Sequence, residues 1–582
     1  MSYRRKKLLA LFFAMALSMT AVAGCTGAKS STGNVVSLET ETNAEETSAQ
    51  SEAGTFSSAD MFTERDLAGT YEESGAVYVT LSDDGIAGET DGVVIDGQMV
   101  TITAEGTYIF SGTLSEGQIV VDADNAKVQI VFDNVDITCA SSAAVYVKSA
   151  EKVFVTLAEG SQNTLRNTDE YVAIDDNNID AVIFAKSDLT LNGTGSLTII
   201  SAEGHGIVSK DDLKIIGGTY DITAAGHALS GKDSVRIADG TFILTAEKDG
   251  IHAENADDEE KGYIYIADGD FTITSDGDGV DASNIVQIED GTFDITAGGG
   301  AANSQKTHES DMPGGPGGGM PQNGEKPDGE NMPQDTTTDE SGTSTKGIKA
   351  GGGMYLNGGT YQIDSADDSI HSNANITIAD GTYTLATGDD GVHADDALIV
   401  NGGTITVTES YEGLEGLAVT INDGTIDITA SDDGINTAGE KMELNGGYIH
   451  ILAGGDGVDS NGDLTINGGE IYIDGPSDNG NSAIDYGDRS SAYVNGGTLV
   501  AIGSSGMAEV MSDSSKQKVL MVKLGEQMEA GNVVLTDSEG NVIVSYTALK
   551  TYDCVIISTA EVESGATYTL TTSGTTTEVT AE

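Results

Sequence analysis

The stretch "GVHADDALIVNGGTITVTESYEGLEGLAVTINDGTIDITASDD", residues 391–433, decides the fold. It holds two copies of one unit, starting at Gly391 and Gly413, and two more copies start at Gly347 and Ser369, in steps of 22 residues. Units at Gly434 and Gly457 follow, and others start upstream at Gly206, Gly226, Gly250 and Gly279, with weaker versions near Ala144 and Ala181. A fixed period of this length is the mark of a solenoid, whose units bury their apolar side chains only by stacking.

Inside a unit, Val419 and Ile421 precede the turn "NDG", Ile426 and Ile428 follow it, and Ile435 opens a third short segment. Alternation with period two places these side chains on one face of short strands. The expected architecture is therefore all-β: a right-handed parallel β-helix of about 22-residue coils. A leucine-rich repeat has a similar period, but its helical segment and Leu spacing are missing. The second Gly of "NGG" and "ADG", as in Gly403 and Gly424, supplies positive φ where the chain bends. Asn357, Asn401, Asn422, Asn445 and Asn467 recur at one turn position and are expected to hydrogen-bond up the stack.

Outside the repeat, residues 61–143 read as an N-terminal β cap with the first coils, 144–502 as the parallel β-helix, and 503–582 as a C-terminal β cap. A Gly/Pro/Met-rich tract at 298–346 has no strand alternation and reads as a disordered insert. The N-terminus, "MSYRRKKLLALFFAMALSMTAVAGCTG", resembles a bacterial lipoprotein signal over residues 1–25, with Cys25 as the lipidated residue. Residues 26–60 have the composition of a disordered linker. The expected location is the extracellular face of a bacterial membrane, with membrane contact by the lipid anchor only. Cys139 and Cys554 are too few and too far apart for a disulfide framework or a cysteine metal site.

The formal charge is −67, from 94 acidic against 27 basic residues, which argues against nucleic acid or an anionic membrane surface as a partner. Much of that acid is stacked. Asp278, Asp367, Asp368, Asp389, Asp390, Asp432, Asp433 and Asp456 lie just before the unit starts. A second polar column holds His252, Asp281, Lys349, His371, His393, Glu415, Asn436 and Asp459. Neighbouring coils are about 4.8 Å apart, where two carboxylates repel by about 1 kcal/mol even in water. Ca2+, which takes several carboxylate and carbonyl oxygens in flexible geometry, answers that repulsion. Zinc suits the column less, because His occurs once per coil with no thiolate. The metal candidates are therefore Asp367, Asp368, Asp389, Asp390, Asp432 and Asp433, with Asp278, Asp281, Asp456 and Asp459 as a second set. His371, His393 and Glu415 are candidate ligand-binding residues. The competing reading is that Asp merely favours turns and caps strands in water.

Beyond the repeat, "GTYIFSGTLSEGQIVVDADNAKVQIVFDNVDIT", "AVYVKSAEKVFVTLAEGSQNTL", "SDLTLNGTGSLTI", "GIVSKDDLKIIGGTYDITAA" and "GMAEVMSDSSKQKV" together resemble the clostridial-type secreted carbohydrate-binding β-helix proteins. The likeness runs from about residue 70 to 575, the insert excepted. It implies a polysaccharide lyase-like fold, calcium binding and association with cellulose or polygalacturonate, without established catalysis.

A calcium-dependent polysaccharide lyase needs a Lys or Arg of lowered pKa beside the bound uronate. Lys148, Lys186, Lys210 and Lys232 form a ladder in the early coils, but the neighbouring acids Asp188, Asp211, Asp212 and Asp233 suit charge compensation better. Lys210 and Lys349 are the weak catalytic candidates. Trp is absent and several Tyr alternate with aliphatics, so a flat aromatic platform is not expected. The expected function is calcium-assisted binding of a plant cell-wall polysaccharide by a monomer, with pectate lyase and structural adhesin as alternatives.

Overall fold

The computed structural model describes residues 56–306 and 344–581, apart from 89, 173, 259 and 488. The proposed signal peptide, Cys25 and most of the 26–60 linker lie outside the described residues. The described chain is nearly all β, dominated by one 45-stranded sheet in which most pairings are parallel. Each coil gives three strands, and each strand pairs with its counterpart one coil on. Leu229–Gly231 pairs with Ile251–Ala253, Ser234–Ile237 with Tyr263–Ile266, and Thr241–Ala246 with Asp270–Ser275. Three parallel ladders result, called here the first, second and third faces, and together they make a β-helix-like solenoid.

The alternation read from sequence is the burial pattern. On the third face, Thr425–Ala430 alternates exposed and buried residues, and Ile426 and Ile428 are fully buried. Full burial of each such side chain stabilises by about 1.5–3 kcal/mol. One inward position is aromatic through six coils: Tyr220, Phe242, Phe271, Phe293, Tyr361 and Tyr383 stack ring on ring, with centroids 4.6–5.2 Å apart. The turn glycines bend as expected. Gly403 has φ 89°, and a Cβ there would lie 2.8 Å from the Gly381 carbonyl oxygen of the coil below.

The Asn ladder forms over Asn401, Asn422, Asn445 and Asn467, with amide contacts of 2.8–2.9 Å, and runs on to Asn495. Asn357 stands apart because the coil between carries Ala379. It hydrogen-bonds to Glu289 instead.

The register crosses the insert without a break: Val280 pairs with Ile348, Val286 with Met354 and Thr292 with Thr360. The expectation of a structureless tract over 298–346 is corrected at both ends. Gly298 donates to Ser275, Ala301–Asn303 forms a 3-10 turn, and Lys306 and Lys346 enter the site described below. Residues 307–343 lie outside the described residues.

The end of the linker is corrected as well. Residues 56–71 lie along the second face as a strap. Phe56 lies against Tyr263, the rings tilted by 32° with centroids 4.3 Å apart, and exchanges two hydrogen bonds with Gln287. The turn Ser58–Met61 buries Met61. The helix Glu64–Leu67 is capped by Thr63 and Asp66 in a reciprocal box. Asp66 is fully buried, and its Oδ1 takes Lys152 Nζ at 2.6 Å and Thr190 Oγ1 at 2.9 Å. Burial opposes its ionisation, but the hydrogen bonds from Lys152 and Thr63 outweigh that and hold it at about 2. The strap thus lies against the second face of the early coils, from Lys152 to Gln287.

At the C-terminal end, Tyr552–Ser558 pairs antiparallel with Thr498–Gly503 of the last coil, closing an edge that would otherwise stay open. A separate four-stranded antiparallel sheet is built from the strands on either side of it, Gly531–Thr536, Val542–Ala548, Thr567–Thr571 and Thr576–Thr580.

Candidate cation columns on the first face

Each short first-face strand has an inward aliphatic, such as Ile251, Val280, Ile370, Val392, Leu414, Ile435 or Val458, all at most 1% exposed. Two residues before it stands one column: His205, His227, Asp249, Asp278, Lys346, Asp368, Asp390, Glu412, Asp433, Asp456 and Ser482. One residue after it stands the outer column foreseen from sequence, from His252 through Asp459 and on to Asp485.

The carboxylates of the inner column are not solvated turn caps. Asp278, Asp368, Asp390 and Asp456 are 1%, 2%, 6% and 7% exposed. They are buried because each accepts the backbone N–H of the matching residue one coil on. Asp249 accepts from Asp278 at 2.9 Å, Asp278 from Lys346 at 2.7 Å, Asp368 from Asp390 at 3.1 Å and Asp433 from Asp456 at 2.6 Å. Asp456 accepts from Ser482. The column thus completes the backbone hydrogen bonding where the coil turns from its third to its first face. Burying a charge row requires counter-charge, and the columns meet that need differently along their length.

In the early coils the counter-charge is the protein's own. His252 Nδ1 lies 3.0 Å from Asp249 and 3.2 Å from Asp281. Burial works against its protonation, but these two carboxylates raise it to about 10. Lys349 lies 3.2 Å from Asp278 and 3.3 Å from Asp281. Burial opposes its charge, yet the two acids raise its pKa, so it is no candidate for a general base.

Around the insert, Lys346 contacts Asp367 at 2.6 Å and Asp368 at 3.0 Å, and Lys306 contacts Asp367 at 3.0 Å and Asp389 at 2.6 Å. Both lysines have pKa values raised by these acids against the opposing effect of burial. His371 Nδ1 lies 2.8 Å from Asp368. One coil on, His393 Nδ1 bridges Asp390 at 3.0 Å and Glu415 at 2.8 Å, and these partners hold it protonated. In the first candidate set Asp367, Asp368, Asp389 and Asp390 have lysine and histidine partners, and Asp367 with Asp368 and Asp389, Asp368 with His371 and His393, and Asp390 with His393 and Glu415 each bring ligand atoms within 4.8 Å of one another.

From Glu415 onward the cations run out. Asn436 follows in the outer column and donates to Glu412 at 2.9 Å, while its buried Oδ1 has no hydrogen-bond partner. Among the described residues, no Lys, Arg or His forms an ion pair with Asp432, Asp433, Asp456, Asp459 or Asp485. Burial first, then Asp432 and Asp456, raises Asp433 to about 8. Burial, Asp485 and Asp459 raise Asp456 to about 7 against the hydrogen bond from Ser482. Burial, Asp485 and Asp432 raise Asp459 to about 6.

One oxygen from each of Asp433, Asp456 and Asp459 lies within 4.8 Å of the others, the spread a Ca2+ ion at about 2.3–2.6 Å from each would span. Gly455 leaves room beside them: a Cβ there would sit 2.2 Å from Asp432 Oδ1 and 2.4 Å from Asp433 Oδ1. The donor set is all oxygen, which fits calcium better than zinc.

Sequence reasoning passed over Lys306, Lys346 and Glu412. The two lysines sit at the ends of the tract read as featureless, and Glu412 breaks the Asp-Asp pattern. Counting two residues back from each inward aliphatic finds Lys346 and Glu412. The early lysines compensate charge with partners other than those expected: Lys148 pairs with Asp122 and Lys232 with Asp257.

Among known proteins, the family model described as carbohydrate-binding domain-containing protein matches residues 96–391 and 389–539. A curated relative of that same description, from Acetivibrio thermocellus, is 40% identical over 139 residues, covering 23% of this chain and 49% of the relative. The chain thus spans about half the length of that relative. A solved structure described as the polysaccharide lyase-like protein from C. thermocellum, gadolinium derivative, is 36% identical, covers 38% of this chain and 92% of its own, and superposes with a TM-score of 0.37.

Proposed function

Since this chain belongs to the family of carbohydrate-binding domain-containing proteins, we propose that it is a surface protein whose right-handed parallel β-helix binds plant cell-wall polysaccharide, cellulose or pectin, with the help of Ca2+. The observation that carries the calcium part is the run of acids without a counter-ion at Asp432, Asp433, Asp456, Asp459 and Asp485. Burial and mutual repulsion raise these carboxylates to about 6 to 8, a cost that a bound cation would relieve. A calcium ion there supplies positive charge to an acidic surface and lets a glycan carboxylate or hydroxyl approach it. Asp433, Asp456 and Asp459 would hold the ion, and the unpartnered Asn436 Oδ1 offers a further oxygen nearby.

The lipoprotein-like sequence ending at Cys25 supports attachment to the outer face of a bacterial membrane by lipid alone, with the chain acting as a monomer. The lyase alternative loses its Lys349 base, which is paired with two carboxylates. Retention on insoluble cellulose and on pectate, with calcium and with chelator, tests the proposal. Retention that chelator abolishes supports it. No retention on either polymer sinks it and leaves a structural adhesin.

A further inference from the structure

Three first-face histidines each have a polar residue two positions on that meets the ring at Nε2. Glu254 lies 3.5 Å from His252, Asn373 2.9 Å from His371 and Asp395 3.4 Å from His393. An oxygen behind the ring fixes its orientation, as it does behind metal-bound histidines. In all three the other nitrogen, Nδ1, is turned towards the inner carboxylate column. We propose that one of these positions, built from Asp390, His393 and Glu415, binds a divalent transition ion of the zinc class rather than calcium. The site is separate from the oxygen-only cluster at Asp433, Asp456 and Asp459, and the proposal does not rest on polysaccharide binding.

The backbone of neighbouring coils sets the carboxylate. Asp390 donates its own N–H to Asp368 Oδ1 at 3.1 Å, and its Oδ1 accepts the Glu412 N–H at 3.2 Å. That leaves Oδ2 facing His393 Nδ1 at 3.0 Å, with Glu415 Oε2 2.8 Å from the same nitrogen. The three atoms lie within 4.8 Å of one another. Donors around a tetrahedral zinc are about 3.4 Å apart, so opening the ring contacts by about half an ångström admits the ion. The side chains of His393 and Glu415 are 26% and 17% exposed, which leaves a way in and a fourth coordination position on the solvent side.

The other two histidine positions are already filled by the protein. At His252, Asp281 has Lys349 at 3.3 Å, and the neighbouring His227 Nδ1 accepts the Asp249 N–H at 3.2 Å. At His371, Lys346 reaches the same Asp368 Oδ2, at 3.0 Å. Around His393, by contrast, no Lys or Arg forms an ion pair with Asp390, Asp395, Glu412 or Glu415 among the described residues. Glu412 is close enough to repel both Asp390 and Glu415, and it accepts a hydrogen bond only from a neutral amide, Asn436. One imidazolium thus faces four carboxylates. A dipositive ion taking the place of the Nδ1 proton adds charge where the shortage is. The imidazole selects among such ions, since calcium prefers oxygen throughout, whereas zinc, cobalt and nickel accept nitrogen beside carboxylate.

Calorimetric titration of the chelator-stripped full chain with Zn2+, in an excess of calcium, tests this, with Co2+ as an optical probe of the ligands. One zinc per chain that calcium does not displace is expected, with visible cobalt absorption that zinc abolishes. H393Q and E415Q should each weaken zinc binding by roughly tenfold or more, and D395N, which leaves every ligand in place, by roughly 10- to 100-fold. Unchanged far-ultraviolet circular dichroism controls for folding, and D395N carries the test should either ligand variant fail to fold. D433N and H252Q should bind zinc as the parent does, so the calcium cluster and this site can fail separately. Zinc that calcium competes away, or an affinity unchanged in E415Q and D395N, overturns the site. Loss of zinc binding in H252Q but not in H393Q overturns it equally, by moving the ion to the early coils.

Discussion

Replacing Asp433 by Asn tests the acidic cluster most directly, because Asn keeps the Oδ1 that accepts the Asp456 N–H and removes only the charge. In the folded chain Asp433 holds its proton up to about pH 8, whereas an unfolded Asp releases it near 3.9. Between those values the folded state binds the extra proton, so stability is greatest at low pH and falls as pH rises, by about 1.36 kcal/mol per unit. From pH 5 to pH 7 that is about 2.7 kcal/mol for Asp433 alone. Asp456, raised to about 7, acts in the same direction. Water entering a partly open cluster screens these charges, so on the order of 2 kcal/mol in total is the figure to expect.

Long repeat arrays do not unfold as one unit, so a local measurement is needed: hydrogen exchange of the amides in Ile435–Thr437 and Val458–Ser460, corrected for intrinsic rates. In chelator, the parent should lose protection from pH 5 to pH 7 and D433N should lose less, so that D433N is the more protected at pH 7. His252 and the other distant titrating groups cancel in that difference. Calcium at a hundred times its Kd restores about 2.7 kcal/mol to the parent and little to D433N. Equal pH slopes in the two proteins, or equal calcium responses, would refute the reasoning.

Replacing Lys306 and Lys346 together by Met removes the ammonium partners of Asp367, Asp368 and Asp389 and should destabilise those coils by about 3–5 kcal/mol in chelator, with a new calcium response in the melting temperature. An unchanged melting temperature would mean that the ammonium groups contribute nothing. Asp66→Ala strands Lys152 beneath the strap and should cost about 3–5 kcal/mol, seen as rapid proteolysis between residues 56 and 71. In the parent this contribution is fully present above the ordinary carboxylate pKa and is lost as pH falls towards about 2. Phe271→Ala opens a gap in the aromatic stack and should destabilise by about 3–5 kcal/mol without altering calcium response; calcium titration of the variant, followed by melting temperature, checks both.

The coil was legible because its signals are local and repeated. Ile426 and Ile428 report period-two burial directly, and Gly403 reports a bend that no Cβ could occupy. The Asn ladder was legible for the same reason, its members recurring at one offset from the turn. What stayed hidden depends on contacts between coils or across long separations. Nothing near Asp66 announces that it is buried against Lys152 and Thr190, since the strap's partners lie 86 and 124 residues away. Lys306 and Lys346 were hidden by the composition around them, although the register places Lys346 at the same position as Asp368 and Asp390. Burial of the acids was also invisible, because the group that buries them is a backbone N–H and carries no residue signature.

The two columns give a physical reason for placing any functional ion late in the coil order. A buried carboxylate row must be neutralised coil by coil, and an internal Lys or His does this permanently, at the cost of closing the position to other cations. His252, Lys349, Lys346 and Lys306 occupy the early and middle positions in this way. A position meant to exchange its cation, or to share it with a ligand, must omit the internal base and accept instability when empty. Asp433, Asp456 and Asp459 meet the first condition, having no basic partner among the described residues, and burial and neighbouring carboxylates raise their pKa values, as they also raise Asp278 and Asp389 beside their lysines. The calcium response of amide protection in Ile435–Thr437 and Val458–Ser460 should therefore disappear in D433N and D456N but survive in D278N, whose carboxylate already has Lys349 beside it. Loss of the response in D278N alone would move the ion to the early coils and reverse this assignment.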